Sequence, residues 1–318
     1  MRAIRITEFG RPEVLRLVED EPEPTPPPGM ELLEIDAAGI NYADTHAAED
    51  TYLAPSSLPM IPGAEAVGRL PDGRRVVALL AGGGYAERAA VAPAVAFEVP
   101  DGVSDGAALA LVLQGTTAWH LLRTSARIAP GESVVVLAAA GGVGTLAIQL
   151  ARRFGAGRII AAASTEEKRQ LATKLGADVA IDSRTEDLKG ALEEAGGGKV
   201  DVVLEMVGGT TTDQSIAALA PFGRCVVYGM ASRQAPSLVD PRQLIGRSRG
   251  VIGFWLAHAM RDPARHLAGP MGELLELTLA GHLQPVVGGT YPLSEASTAH
   301  RDLRERRTVG KLVLDPRS

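Results

Sequence analysis

Cysteine is almost absent from this chain: its 318 residues contain one, Cys225. A lone thiol cannot close an intramolecular disulfide or supply the cysteine cluster of a structural zinc lobe, and a reducing compartment is the simplest expectation. There is no excess of positive charge either. Against 38 acidic residues stand 32 lysines and arginines, dispersed along the chain, for a net charge of −6. General nucleic-acid binding is therefore not expected. The start, Met1-Arg2-Ala3-Ile4-Arg5-Ile6, has no apolar core and no small-residue cleavage site, so no signal peptide is expected. The stretch from Ser133 to Ala151 carries no charge and approaches the ~20 residues of a membrane span. Gly141, Gly142 and Gly144 lie in its middle, and strand, turn and helix fit it better. A cytoplasmic protein without a membrane partner is the expectation. Internal repeats and low-complexity tails are missing as well.

What is present is ordinary globular material, 46% hydrophobic and 22% charged. At roughly 150 residues per domain the length suggests two domains. Glycine is abundant, 36 residues against a usual share of roughly 7%, which points to tight turns and close backbone packing. The first third reads as β-rich, with strands expected over Arg2–Thr7, Glu31–Ala37, Ala64–Leu70, Arg75–Leu80 and Tyr85–Val91. A proline cluster between the first two (Pro22, Pro24, Pro26, Pro27, Pro28) reads as a rigid loop. Ala107–Leu122 is an apolar helical pattern. Strands and helices then alternate: Ser133–Ala138, Val143–Phe154, Arg158–Ala163, Thr165–Leu175, Val179–Ile181, Thr185–Ala195, Val200–Glu205, Thr210–Leu219 and Arg224–Tyr228. Such alternation predicts βαβ units around a parallel sheet covered on both faces. The end of the chain predicts a long helix over Pro263–Ala280, a strand near Pro285–Thr290, a helix near Ser294–Glu305 and a last strand, Gly310–Leu314. The α/β unit thus lies between two outer segments expected to pack together.

The first strand of the α/β unit runs into Ala139-Ala140-Gly141-Gly142-Val143-Gly144 and then an amphipathic helix. Against the pattern G-x-G-x-x-G, Ala139 replaces the first glycine while Gly141 and Gly144 keep the others. Small residues let the backbone approach a pyrophosphate, the helix start offers N–H groups to the anion, and the last glycine permits close helix–strand contact. With strand, turn, helix and further βα units in place, dinucleotide binding is predicted. The acid that would bond the ribose hydroxyls of NAD(H) is missing. Ser164 stands there, followed by Thr165 and, after two glutamates, by Lys168 and Arg169, which suits NADP(H). Ser164 or Thr165 also suits a helix cap.

Three segments carry a family resemblance: Ala37-Ala38-Gly39-Ile40-Asn41-Tyr42-Ala43-Asp44, Ile61-Pro62-Gly63-Ala64-Glu65-Ala66-Val67-Gly68, and Ala138–Gly144 with its helix. Leu113-Gln114-Gly115-Thr116-Thr117-Ala118, Asp201–Gly209 and Gly310-Lys311-Leu312-Val313-Leu314 also fit. The chain resembles, over its whole length, the medium-chain dehydrogenases/reductases, in the zinc-free quinone oxidoreductase (zeta-crystallin-like) branch. The resemblance implies an α/β protein. A GroES-like catalytic domain would comprise residues 1–113 and 254–318, a Rossmann domain residues 114–253, and substrate would bind in the cleft. Zinc alcohol dehydrogenases of the superfamily carry Cys and His where this chain has Asn41 and Ala64, and a further Cys is replaced near Gln114. No metal is expected, and the six histidines show no ligand spacing.

By the same resemblance, Asn41 and Tyr52 are the candidate catalytic residues, beside the nicotinamide of NADPH. Thr117, Ala140, Gly141, Gly142, Val143, Gly144, Ser164, Lys168, Ser183, Val207, Gly229, Phe254 and Lys311 are candidate cofactor contacts, Lys168 for the 2′-phosphate and Lys311 reaching across the cleft. Ser183-Arg184 stand where the branch often has tyrosine and then arginine. Asn41 also suits a turn, Tyr52 a packed loop, and Asp44 the anchor of a helix start. Without zinc to polarise an isolated carbonyl, hydride transfer should favour acceptors that spread charge, such as quinones and enones. The expected partners are such a small molecule and a second copy of the chain, in a homodimer formed at the sheet edge. An enoyl-thioester reductase and a non-catalytic NADPH-binding protein are the alternatives.

Overall fold

The structure is a computed structural model that describes residues 1–318. The chain divides into two compact units, residues 1–116 with 258–318 and residues 117–257. No helix is long and apolar enough to cross a membrane.

In the first unit, short strands between Gly/Pro punctuation build mostly antiparallel sheet. In chain order they are β1 (Ala3–Arg5), β2 (Arg16–Val18), β3 (Glu31–Ile40), β4 (Glu65–Arg69), β5 (Arg75–Leu79), β6 (Arg88–Val91) and β7 (Ala96–Glu98). The other unit supplies β8 to β13, and the chain returns with β14 (Val287–Pro292) and β15 (Lys311–Asp315). The main sheet runs β14-β15-β3-β4-β5-β7, with β6 also paired to β3. β3 continues to Ile40, past the predicted end at Ala37, because Leu312 and Leu314 of β15 pair with Ile40 and Ala38. A last-in-sequence strand thus extends an early one, which no local pattern encodes. Ile35, Ile40, Tyr85, Leu312 and Leu314 share one core there. A short helix, Tyr42–Ala48, leaves β3 at Asn41.

Two predicted helices are corrected. Pro263–Ala280 is two helices, Pro263–His266 and Ala268–Leu279, with Leu267 between them at φ −115°. Pro270 has no N–H to return to the carbonyl of His266, so a continuous ladder is impossible. The helix predicted from Thr185 begins at Leu188, because the Asp187 carboxylate caps it by accepting from Gly190 N at 2.8 Å.

In the second unit, β8 (Ser133–Val136), β9 (Arg158–Ala163), β10 (Val179–Asp182), β11 (Val200–Glu205), β12 (Leu219–Val227) and β13 (Gly250–Gly253) form a six-stranded sheet in the order β10-β9-β8-β11-β12-β13. Every pairing is parallel. Val134–Val136, Ile159–Ala162 and Val202–Leu204 are fully buried, as expected of strands covered on both faces. The chain moves outward from β8 through β9 to β10, then returns to the other side of β8 with β11. That reversal opens the crevice where doubly wound sheets bind ligands, beyond the carboxyl ends of the strands.

Candidate functional site

The glycine turn occupies this reversal point. Ala138, at φ +48°, turns the chain out of β8, and Gly141 N donates to Ala138 O at 2.8 Å. The helix Gly142–Arg153 starts at Gly141, and no side chain caps it. A Cβ at residue 144 would lie 2.5 Å from Ala138 O and 2.8 Å from the Ala139 backbone. Glycine is therefore required for the helix to press on the strand, and the bare helix start keeps its N–H groups for an anion. Gly142 and Val143 belong to that first turn, and Ala140 to the loop before it.

Around this turn lie the carboxyl ends of the neighbouring strands. Ser164 follows the last residue of β9. Thr165, not Ser164, caps the next helix, accepting from Lys168 N at 3.4 Å. Ser183 N donates to Ala163 O at 3.2 Å, which sets Ser183 beside the end of β9. The acid missing from β9 stands one strand over: Asp182 is in register with Ala163. Its charge is answered by Arg184, which donates to it from Nε and Nη2 at 3.0 and 2.7 Å, and by Arg169 at 3.5 Å. The Arg184 hydrogen bonds hold the Asp182 carboxyl well below the usual range. Sequence reasoning missed this cluster because it looked for the acid along one strand, while strand pairing sets it across two.

At the end of β11, Glu205 is fully buried. It accepts from Val207 N at 2.6 Å, Gly208 N at 2.9 Å and Thr212 Oγ1 at 2.8 Å. Burial raises its pKa against these bonds. The carboxylate shapes the loop that carries Val207, a role not evident in the sequence. Gly229 follows β12, where a Cβ would come 3.1 Å from the Met206 side chain. Phe254 closes β13 with its N–H on Val227 O, and its ring stacks on His120 at 5.5 Å. Thr117 is buried in the helical stretch 105–126.

The first unit holds the second cluster. Asn41, Glu65, Gln114 and Lys311 are all buried, Glu65 and Lys311 completely. Asn41 Nδ2 donates to Glu65 Oε1 at 2.8 Å, and Asn41 Oδ1 accepts from Gln114 Nε2 at 3.1 Å and Lys311 Nζ at 3.2 Å. Lys311 also donates to Ile40 O at 3.2 Å and forms a salt bridge with Glu65. The expectation that Lys311 reaches the cofactor is therefore corrected: its side chain is fully buried and its ammonium is engaged by three acceptors. A strand lysine reads as exposed, and only the pairing of β15 with β3 turns it inward. The structure brings Asn41 and Gln114 together. No group of three His, Cys, Asp or Glu side chains that could hold a metal is present.

Behind Asn41 a buried chain of polar groups anchors the helix start. Asp44 accepts from Asn41 N at 2.8 Å and from Tyr85 Oη at 2.9 Å, and Tyr85 Oη lies 2.9 Å from His300 Nε2. With the tyrosine proton committed to Asp44, His300 must donate from Nε2. Burial raises Asp44 to about 6 and lowers His300 to about 3. Tyr52 lies on the loop after the helix, with its ring 6.4 Å from that of His46.

The sheet reversal, the glycine cradle and the uncapped helix define a dinucleotide-binding domain of the Rossmann type. The comparisons with known proteins narrow this. The family model described as "Zinc-binding dehydrogenase" matches residues 142–268. Mouse quinone oxidoreductase is 31% identical over 99% of this chain and 97% of its own. The quinone oxidoreductase of Thermus thermophilus, solved alone and with NADPH, is 38% identical with a TM-score of 0.88, covering 99% of this chain and 100% of that one. The Escherichia coli quinone oxidoreductase complexed with NADPH is 34% identical with a TM-score of 0.92 over the same shares. The chain belongs to the quinone oxidoreductase (zeta-crystallin-like) family of medium-chain dehydrogenases/reductases.

Proposed function

We infer that the protein is an NADPH-dependent quinone oxidoreductase that passes hydride to a conjugated carbonyl acceptor without zinc. The observation that carries this is the buried cluster. By the resemblance, zinc members of the superfamily have metal ligands where this chain has Asn41 and Ala64 and near Gln114; here the Asn41 and Gln114 carboxamides are hydrogen-bonded to each other beside a Lys311–Glu65 ion pair. The NADPH complexes of the Thermus and Escherichia coli relatives support the choice of cofactor.

The residues present fit that cofactor. No side chain caps the helix that starts at Gly141, so the Ala140–Gly144 backbone would hold the pyrophosphate. Ser164, Lys168 and Ser183 would take the 2′-phosphate. Thr117, Val207, Gly229 and Phe254 would line the remainder. When bound, NADPH supplies the hydride. Asn41 Nδ2 and the Tyr52 hydroxyl donate hydrogen bonds to the oxyanion that develops on the acceptor. Quinones and enones delocalise that charge, so two neutral donors suffice where an isolated ketone would need a metal.

The partner is thus a small conjugated carbonyl or quinone, in the cytoplasm. We also infer a homodimer through β13, the terminal strand of the parallel sheet, since an open edge pairs readily with its twin. Phe222 and Ile245, before β13 in the chain, are largely exposed, 78% and 79%. A panel of quinones, enones and enoyl thioesters, followed by loss of NADPH absorbance, tests the function. Turnover of quinones and enones is expected. Turnover confined to enoyl thioesters would replace this reading, and no turnover at all would leave a binding protein.

A further inference from the structure

We propose that Lys311 is a positioning residue for the reaction: its buried ammonium, paired with Glu65, orients and polarises the Asn41 carboxamide so that the second Nδ2 hydrogen is offered to the acceptor's oxyanion. This rests on the reading of Asn41 as an oxyanion donor.

A terminal carboxamide has two nearly isosteric orientations, and its neighbours select one. Here Oδ1 faces two donors, Lys311 Nζ and Gln114 Nε2, while Nδ2 faces the carboxylate oxygen Glu65 Oε1. A flip would set N–H against N–H twice and carbonyl against carboxylate once. The ion pair therefore fixes which end of the amide is a donor. It uses one Nδ2 hydrogen and leaves the second. The backbone of the same residue is pinned independently by Asp44.

The charge acts on strength as well as direction. An ammonium donating to the carbonyl end withdraws electron density from the amide, and in a low-dielectric interior linked hydrogen bonds reinforce one another. A cation thus acts on the oxyanion through one amide, without touching it.

Two further observations set the cluster apart from ordinary core. Room for the pair is made by Gly39, where a Cβ would collide with the Glu65 carboxylate and lie 2.6 Å from Lys311 Cε. Glu65 Oε2 and Gln114 Oε1 are buried without a hydrogen-bond partner. A buried ion pair is a poor stabiliser beside apolar packing of equal volume, and orphaned acceptors make it poorer. The arrangement is costly as core and useful as a device that orients one amide.

The test compares Lys311→Met, Lys311→Met with Glu65→Gln, Lys311→Arg, Asn41→Ala, and Asn41→Ala with Lys311→Met. The double change at 311 and 65 removes both charges and keeps the test open if Lys311→Met alone does not fold. Readouts are kcat and KM with benzoquinone, NADPH affinity by fluorescence titration, and the pKa of bound para-nitrophenol as an oxyanion mimic. Loss of the lysine should lower kcat roughly 10–100-fold, less than the ~10²–10³ typical of deleting a donor outright. NADPH affinity should hold, the pKa of bound nitrophenol should rise, and Lys311→Arg should recover most of the turnover. In the Asn41→Ala background, removing Lys311 should cost little more. Equal losses with and without Asn41, or full turnover in the Lys311/Glu65 double variant, would overturn the proposal alone. Full turnover in Asn41→Ala would instead overturn the donor reading on which it rests.

Discussion

Asp44 and His300 form the two ends of one buried hydrogen-bond chain, and they titrate in opposite senses. Burial lifts Asp44 to about 6 and drops His300 to about 3. Between about pH 4 and pH 6 the folded chain keeps a proton on Asp44 and none on the second ring nitrogen of His300. The unfolded chain does the reverse, ionising aspartate and protonating histidine. Each state binds one proton at the pair, so the pair adds no slope to stability there. Taken alone, Asp44 has a folded pKa above its unfolded one. The stability it contributes is present below the unfolded value and is lost as pH rises through the folded one. His300→Gln should uncover that dependence. Relative to the parent, the variant should lose up to about 1.4 kcal/mol per pH unit as pH rises over this window. Urea midpoints across a buffer series check this, and parallel curves for variant and parent would contradict it. Gly144 yields a steric prediction at the same scale. With Ala138 O 2.5 Å from the position of a new Cβ, Gly144→Ala should destabilise by about 1–3 kcal/mol and weaken NADPH, as read by thermal melting and cofactor titration.

At the scale of elements, the proposed preference for NADPH follows from the carboxyl ends of β9 and β10. Lys168→Glu, on the helix that follows Ser164, should weaken NADPH far more than NADH. A charge-assisted bond to the phosphate is worth on the order of 1.5–3 kcal/mol. Equal losses for both cofactors in paired titrations would remove Lys168 from the phosphate site. The parallel α/β unit was legible because each of its signals is local: apolar runs for β8, β9 and β11, and small residues where helix meets strand. The buried cluster was only half legible. Asn41, Glu65 and Gln114 stood out through resemblance, but Lys311 was expected to reach the cofactor, and only the pairing of β15 with β3 turns it into the buried cluster. Asp182 and Glu205 were missed for a related reason. Each shapes the site through partners across a strand or around a loop, and single-strand patterns do not carry that. The break at Leu267 was legible in principle, since Pro270 lacks the needed N–H.

For the whole molecule, the open edge at β13 predicts a dimer. Sedimentation at micromolar concentration should give twice the chain mass, and a monomer there would count against pairing through this strand. The central proposal is that hydride passes, without zinc, to acceptors that share the incoming charge, beside a cluster of two carboxamides and a buried ion pair. The most direct test uses protein exhaustively treated with chelator and assayed in both directions. NADPH oxidation by benzoquinone should proceed undiminished, while ethanol with NADP⁺ should give no appreciable rate. Loss of quinone turnover on chelation, restored by added zinc, or ethanol oxidation matching the quinone rate, would contradict the account.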